Sequence, residues 1–224
     1  GSLRTILSTL LLLIIGYSSI KTIPKNKWKW IAITGYVSFI PPFLFAYSQT
    51  EIDSALAAIL NSLTPLATLL IGIGFYRFKI DSKQISGVIL GLIGSVLLMY
   101  QGSIINPDQN IVYVIFIILA SILYALQVNL LKVYLQDVSA VAITVGNFIF
   151  IFPFAVVIFF MTDYNELDLN DKDVSSALFY ILILSIFGTV FAKILFNKFV
   201  QIASPVFVSS VTYTLPVVAL FWGL

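Results

Sequence analysis

The chain has 224 residues, of which 60% are hydrophobic and 10% are charged, and its net charge is +2. Its mean hydropathy of +1.05 is far above that of a soluble domain, so most of the chain is expected to lie in lipid. The small net charge, spread over short segments, argues against a nucleic-acid partner. The absence of Cys and His removes the groups on which most metal sites and Ser/His-type hydrolases depend. We therefore predict an integral membrane protein without a metal site or cofactor, although a carboxylate or Ser/Lys catalytic site stays open.

Eight apolar segments are long enough to cross a bilayer as helices. They lie at about 3–20, 28–48, 54–75, 84–101, 110–131, 138–161, 175–200 and 203–224. Strands of a closed barrel would be about half as long and would alternate polar with apolar residues, so the segments predict an all-α membrane protein. The first and last segments have no polar flank at their outer ends, and we expect an internal part of a longer chain.

The loop charges predict how the protein is oriented in the membrane. Nine of the 12 Lys and Arg residues lie on one side, in the loops 21–29, 76–84 and 132–138 and at Lys198. The opposite loops contain Lys172 and most of the acidic residues. We predict that the protein lies in the cell membrane. By the positive-inside bias, its lysine-rich loops face the cytoplasm.

An internal repeat is visible around two prolines that lie 151 positions apart, Pro65 and Pro216. Each ends a stretch of small and polar residues inside an apolar span, SALAAILNSLTP in the third span and PVFVSSVTYTLP in the eighth. A repeat displaced by five spans must be inserted upside down, as in many transporters. We therefore predict two inverted five-helix repeats in a ten-helix protein, of which eight helices are present here. The repeats are predicted at 1–103 (helices 2–5) and 104–224 (helices 6–9).

Several motifs together resemble a known family. The opening around Arg4 and the segments SALAAILNSLTPLATLLIG, QISGVILGLIGSVLLM and GTVFAKILFNKFVQIASPVFVSSVTYTLPVVALFWGL are similar to the EamA-type branch of the drug/metabolite transporter superfamily. The resemblance covers nearly the whole chain. It implies a ten-helix permease with cytoplasmic termini that moves small metabolites such as amino acids, often outward. The sequence departs from the family in carrying Lys193 where an aromatic residue is more usual.

Polar residues before the two prolines are candidates for substrate contact. Asn61 shares a helix face with Pro65, and Thr212 shares one with Pro216. Because proline has no N–H, the carbonyls of Asn61 and Thr212 are predicted to be unpaired and able to orient a substrate amine or carboxyl group. The alternative is hydrogen bonding between helices, at about 0.6–2 kcal/mol for each bond.

A polar stripe on the seventh span consists of Thr189, Lys193 and Asn197, which recur at every fourth position. Lys193 is predicted to attract an anionic substrate group or to titrate during transport. In the alternative interpretation, its ammonium group extends toward the cytoplasmic end of the span, about 10 Å away.

Three further polar side chains lie inside spans. Tyr124 and Gln127 share one face of the fifth span, and Asn147 stands among apolar residues in the sixth. Each fits either the lining of a cavity or a hydrogen bond to a neighbouring helix.

A stripe of small residues on the fourth span contains Gly87, Gly91 and Gly94. It predicts the close approach of another helix, either within the protein or in a homodimer.

Two hypotheses follow from these patterns. The first is a secondary transporter for small metabolites, lying in the lipid bilayer and alternating access around a central cavity. Its predicted lining residues are Asn61, Thr64, Tyr124, Gln127, Asn147, Lys193, Thr212 and Tyr213. The second is a scaffold or membrane enzyme without transport activity, although the sequence offers no nucleophile and base in clear reach of each other. We therefore predict that the protein is not an enzyme.

Overall fold

The computed structural model describes residues 1–102, 111–161, 172–215 and 217–218. In these residues all regular structure is helical, and six helices are long and apolar enough to cross a membrane. The six are Ser2–Ile20, Lys25–Ser48, Leu56–Gly74, Ile111–Tyr134, Ala140–Phe160 and Val174–Ile202. The prediction of an all-α membrane protein is confirmed.

The described helices follow the chain in a simple order. They are α1 (Ser2–Ile20), α2 (Trp28–Ser48), α3 (Ser54–Asn61), α4 (Thr64–Gly74), α5 (Ser82–Gly102), α6 (Ile111–Tyr134), α7 (Ala140–Phe160), α8 (Lys172–Ile183), α9 (Ala192–Ile202) and α10 (Pro205–Ser209). A short 3-10 helix, Lys25–Lys27, precedes α2, and another, Ser210–Thr214, follows α10. A π-helix, Leu184–Phe191, joins α8 to α9.

Among the described residues, three predicted spans are not continuous α-helices, and one of them is the eighth, in which α10 is followed by the 3-10 helix Ser210–Thr214. The third divides into α3 and α4 at residues 62–63. The seventh contains the eight-residue π-helix Leu184–Phe191. π-Segments are rare in α-helices and are frequently found at functional sites, so the seventh span is a candidate for a functional role.

Some predictions fall partly or wholly outside the described residues. These are the acidic loop at 162–173, the boundary between the predicted repeats at 103–104, Pro216 and the end of the eighth span. The fourth predicted span corresponds to α5, Ser82–Gly102.

The chain forms two compact units, of which the first comprises Gly1–Tyr36 and Tyr134–Phe199. In this unit α1 packs along α7. A Cβ atom at Gly16 would lie 2.6 Å from Cγ2 of Val145, so a larger residue there would force the Val145 side chain or its helix to shift.

A loop contact closes one end of this first unit. The ammonium group of Lys27 donates to Oδ1 of Asp137 at 2.7 Å and to the carbonyl of Tyr134 at 2.8 Å. The rings of Trp30 and Tyr134 stack with their centroids 3.5 Å apart. The start of α2 is thereby joined to the end of α6.

The second unit comprises Val37–Val133 and Val200–Leu224. One buried apolar cluster, of Ile52, Ala57 and Ile117, joins α3 to α6. Another joins α4, α5 and α10, and it consists of Leu69, Val88 and Val206.

Lys132 of α6 closes the C-terminal end of α9 within the second unit. Its Nζ donates to the carbonyls of Val200, Gln201 and Ala203 at 3.2, 3.0 and 2.8 Å. A cation at this position satisfies carbonyls that a helix end leaves unpaired.

Candidate functional site

The interruption between α3 and α4 follows from Pro65. Pro65 has no N–H to donate to the carbonyl of Asn61, and its ring crowds that carbonyl, so the regular pattern of helical hydrogen bonds is broken at this point. α3 therefore ends at Asn61 in a tightened turn, where the N–H of Leu63 donates to the carbonyl of Leu60 at 3.2 Å. α4 begins at Thr64 with Pro65 in its first turn, where a missing N–H costs nothing.

The carbonyls released by the two prolines are nevertheless paired. Oγ1 of Thr64 donates to the carbonyl of Asn61 at 2.7 Å. The N–H of Leu215 donates to the carbonyl of Thr212. The prediction that Asn61 and Thr212 keep unpaired backbone acceptors is therefore wrong. An unpaired carbonyl is costly in an apolar environment, and a nearby donor takes the place of the missing N–H.

A cavity of about 390 Å³ lies beside the end of α3, within the second unit. Sites for small molecules typically have volumes of about 300–1,000 Å³. Two of the predicted site residues, Asn61 and Tyr124, line this cavity. The lining consists of Pro42, Phe45 and Gln49 of α2, Ser54, Ala57, Ala58 and Asn61 of α3, Tyr124 of α6, and Leu215 and Val218.

Asn61 provides a hydrogen-bond donor to this cavity. The residue is only 7% exposed, and its Oδ1 lies 3.1 Å from Oγ1 of Thr64. The amide nitrogen of Asn61 has no hydrogen-bond partner among the described residues. Because the oxygen faces Thr64, the two N–H groups of the amide are left for a molecule in the cavity.

An aromatic wall lies in the same cavity. The rings of Phe45 and Tyr124 are stacked at 27°, with centroids 6.2 Å apart. Ala57 and Ala58 leave room beside them because their side chains are small. An aromatic surface beside an amide donor fits a ligand with an apolar part and an oxygen acceptor.

Thr64 and Gln127 are buried, and neither lines this cavity. Thr64 is 2% exposed and acts on the cavity only through its bonds to Asn61. Gln127 lies one turn after Tyr124 and is 1% exposed, and neither atom of its amide has a partner in the described part of the chain. A buried amide without partners costs about 1–3 kcal/mol, which makes Gln127 the least satisfied of the predicted site residues.

Thr212 and Tyr213 lie beside a different cavity of the second unit. Oγ1 of Thr212 donates to the carbonyl of Ser209 at 2.9 Å. The hydroxyl of Tyr213 donates to the carbonyl of Val88 at 2.8 Å, and Tyr213 lines a cavity of about 560 Å³. Both hydroxyl groups therefore form hydrogen bonds to backbone carbonyls of the protein, one in α10 and one in α5.

The glycine stripe on α5 makes one close contact. A Cβ atom at Gly91 would collide with the ring of Tyr213. At Gly87 and Gly94, a Cβ atom would meet no described atom within 4 Å. The predicted close approach of another segment is therefore confirmed at Gly91 and does not extend to the other two glycines within the described structure.

Asn147 and Lys193 belong to the first unit. Oδ1 of Asn147 accepts a hydrogen bond of 3.1 Å from Oγ1 of Thr34 in α2, a contact of the kind that joins membrane helices. Nζ of Lys193 lies 6.0 Å from the ring centroid of Phe196. No ion pair with Lys193 occurs in the described residues.

The other members of the predicted polar stripe bond within the first unit. Oγ1 of Thr189 donates to the carbonyl of Leu184 at 3.3 Å. Nδ2 of Asn197 donates to Oγ1 of Thr144 at 2.9 Å. Both residues therefore support helix structure and packing, and Lys193 is left as the member without a polar partner among the described residues.

Phe45, Gln49 and Ser54 are among the lining residues of the 390 Å³ cavity that sequence reasoning did not select. Gln49 and Ser54 flank the short loop between the second and third spans, and polar residues on both sides of such a loop were the available signal. Phe45 offered none, because it is one of 19 phenylalanines in the chain.

The chemistry of this cavity is that of binding. Its described lining carries amide, hydroxyl and aromatic groups and has no charged side chain. Across the part of the chain that the structure describes, no group of three or more His, Cys, Asp or Glu residues is placed to hold a metal ion.

Comparisons with known proteins identify the fold and the family. One of 25 matching chains from solved structures, described only as the crystal structure of a protein, has a TM-score of 0.73 and 13% identity. The match covers 97% of this chain and 74% of that one, and at this identity it concerns the fold alone. No curated protein matches the sequence. The EamA-like transporter family model matches residues 1–100 and 111–224. The chain therefore belongs to the EamA-like transporter family.

Proposed function

We propose that the protein is a secondary carrier that moves small metabolites, amino acids or related compounds, across the cell membrane by alternating access. Its family is one of membrane transporters within the drug/metabolite superfamily. The observation that carries the proposal is the interruption of the third span beside the 390 Å³ cavity. Discontinuous helices form the substrate sites of many carriers, because they bring polar backbone and side-chain groups into an apolar protein.

The substrate is held in this cavity by two kinds of contact. The N–H groups of Asn61 donate to an oxygen of the substrate, such as that of a carboxylate. The aromatic wall of Phe45 and Tyr124 receives the apolar part of the molecule. Gln127, whose amide is buried and unpaired in this conformation, gains a partner at another step of the cycle.

The remaining predicted residues have supporting or later roles in this proposal. Thr64 positions the amide of Asn61 through the bond between them. The others form part of the substrate path as the carrier changes conformation, and they are Asn147, Lys193, Thr212 and Tyr213.

The complete carrier in this proposal has ten helices in two inverted repeats, with residues 1–103 in the first and residues 104–224 in the second. Two helix interruptions support this arrangement. α3 ends four residues before Pro65, and the 3-10 helix Ser210–Thr214 ends two residues before Pro216. The lysine-rich loops face the cytoplasm, and export is the expected direction.

Counterflow into proteoliposomes tests this function, with a mixture of labelled amino acids and the full-length protein. Asn61→Ala should weaken apparent substrate affinity about tenfold or more, because a hydrogen bond to a charged group contributes about 1.5–3 kcal/mol. Asn26→Ala is the matched control, since Asn26 is exposed in the short 3-10 helix before α2. Equal uptake by the two variants would contradict the proposed site. The absence of accumulation for every amino acid by the wild type would exclude this substrate class.

A further inference from the structure

Arg4 and Lys193 are cationic side chains of the first unit that lie in spanning helices and are not fully exposed. Arg4 belongs to α1, and Lys193 belongs to α9. Among the described residues, neither side chain makes an ion pair or a hydrogen bond. A charge at such a position is expensive and usually serves a function.

The two cations share one neighbourhood of the unit. α1 packs against the π-helix Leu184–Phe191, which ends two residues before Lys193. Oγ of Ser8 donates to the carbonyl of Ser185 at 3.4 Å, and Oγ of Ser185 donates to the carbonyl of Arg4 at 3.4 Å. The charge of Arg4 acts on Lys193 electrostatically, and like charges in one neighbourhood repel each other.

The described spans supply nothing to neutralise this pair. The six described helices of spanning length contain no Asp or Glu. Two neighbouring cations in such a place are costly unless an anion compensates them. The compensating anion must therefore come from outside the described spans.

We propose that Arg4 and Lys193 form a binding site for an oxyanion, a carboxylate or phosphate group carried by another molecule. The planar guanidinium of Arg4 suits two oxygens of one such group, and the ammonium of Lys193 adds a point charge beside it. This inference rests on the proposed carrier function, in which the oxyanion belongs to the transported molecule. An anionic lipid headgroup offers the same chemistry.

Thermal unfolding of the purified full-length protein in a non-ionic detergent tests the site. The probes are sodium phosphate and sodium acetate, each compared with sodium chloride at equal ionic strength. At least one of them should raise the unfolding midpoint of the wild type by a few degrees, because a ligand that binds only the folded state stabilises it. The rise should disappear in Arg4→Met and Lys193→Met. In chloride, these two variants should be at least as stable as the wild type, because the repulsion is gone.

Two further variants serve as controls. Lys198→Met removes an exposed lysine of the same helix and should keep the rise. Lys193→Arg keeps the charge and should keep most of it. The same shift in all the variants would overturn the proposal, because it would show a general salt effect.

Vesicles distinguish the two sources of the anion. If it is a headgroup, phosphatidylglycerol in phosphatidylcholine vesicles should stabilise the wild type but not Lys193→Met, and soluble phosphate and acetate should have no effect. If it is part of the substrate, the soluble probes should act in phosphatidylcholine alone. No Lys193-dependent effect in either arm would overturn the site. Since neither arm requires transport, intact counterflow without anion binding refutes the oxyanion site alone, and anion binding without counterflow of any amino acid excludes that substrate class and leaves the site standing.

Discussion

Replacing Thr64 with Val should destabilise the protein through the carbonyl of Asn61. Thr64 is 2% exposed, and its Oγ1 lies 2.7 Å from that carbonyl oxygen and 3.1 Å from Oδ1 of Asn61. Valine has nearly the same shape, so packing is retained and the donor is lost. Pro65 cannot provide an N–H in its place, and the carbonyl is left without a partner.

The size of this effect follows from the chemistry of the site. A lost hydrogen bond that leaves a buried acceptor unpaired costs about 1–3 kcal/mol, and side-chain bonds between membrane helices average about 0.6 kcal/mol with a maximum of about 1.7. We expect Thr64→Val to cost about 1–2 kcal/mol. The matched control is Thr68→Val. Thr68 is 0% exposed, and its Oγ1 donates to the carbonyl of Thr64 at 2.8 Å. That carbonyl also accepts the regular helical N–H of Thr68, so the control should cost less than about 0.5 kcal/mol.

The free energy of unfolding is measured by titrating the purified protein with sodium dodecyl sulfate in mixed micelles and following circular dichroism. Thr64→Ser, which keeps the hydroxyl, should recover most of the loss. If Thr68→Val costs as much as Thr64→Val, or if Thr64→Ser recovers nothing, the pairing of the Asn61 carbonyl is not what stabilises the interruption.

Three other changes have defined outcomes. Gly91→Ala should lower the thermal unfolding midpoint, because the new Cβ meets the ring of Tyr213. Adding Tyr213→Ala should relieve this loss in the double variant, and a loss that persists would contradict the packing. The hydrogen bond from Lys27 lowers the pKa of Asp137, so the stability this pair contributes should be complete above about pH 4 and lost as the pH falls through the lowered pKa. Asp137→Asn should flatten that part of the pH–stability curve, and an unchanged slope would refute the assignment. Gln127→Leu should stabilise the protein and reduce uptake, and a stability loss would show that the amide has a partner in this conformation.

The helical architecture was predictable because the requirement behind it is local. In lipid, each backbone N–H and C=O must be paired inside its own segment, so a long apolar run specifies a helix without reference to the rest of the chain. The interruption near Pro65 was not predicted. A proline removes one helical hydrogen bond wherever it lies, but it need not divide the helix, since α2 continues past Pro41 and Pro42 and α7 past Pro153. The pairing of the freed carbonyls was predicted wrongly, because it depends on the rotamer of Thr64 and the turn at Leu215.

The candidate cavity was predictable only in part. The sequence pointed to Asn61 and Tyr124 because a polar group inside a span stands out against apolar neighbours. It did not point to Phe45, whose place in the lining depends on how α2 packs beside α3 and α6. Thr64 was expected in the lining, and the structure places its hydroxyl against the backbone of the helix interruption.

The sequence alone determined that this is an all-α membrane protein and showed which spans carry polar and cationic residues. The tertiary structure decided which of those residues meet. Arg4 and Lys193 are far apart in the chain, and no local pattern connects them. Only the packing of α1 against the π-helix brings them into one neighbourhood, just as only the contact of α1 with α7 explains Gly16. Helix formation in lipid depends on each segment's own hydrogen bonds, whereas side-chain contacts between helices depend on packing across the whole unit.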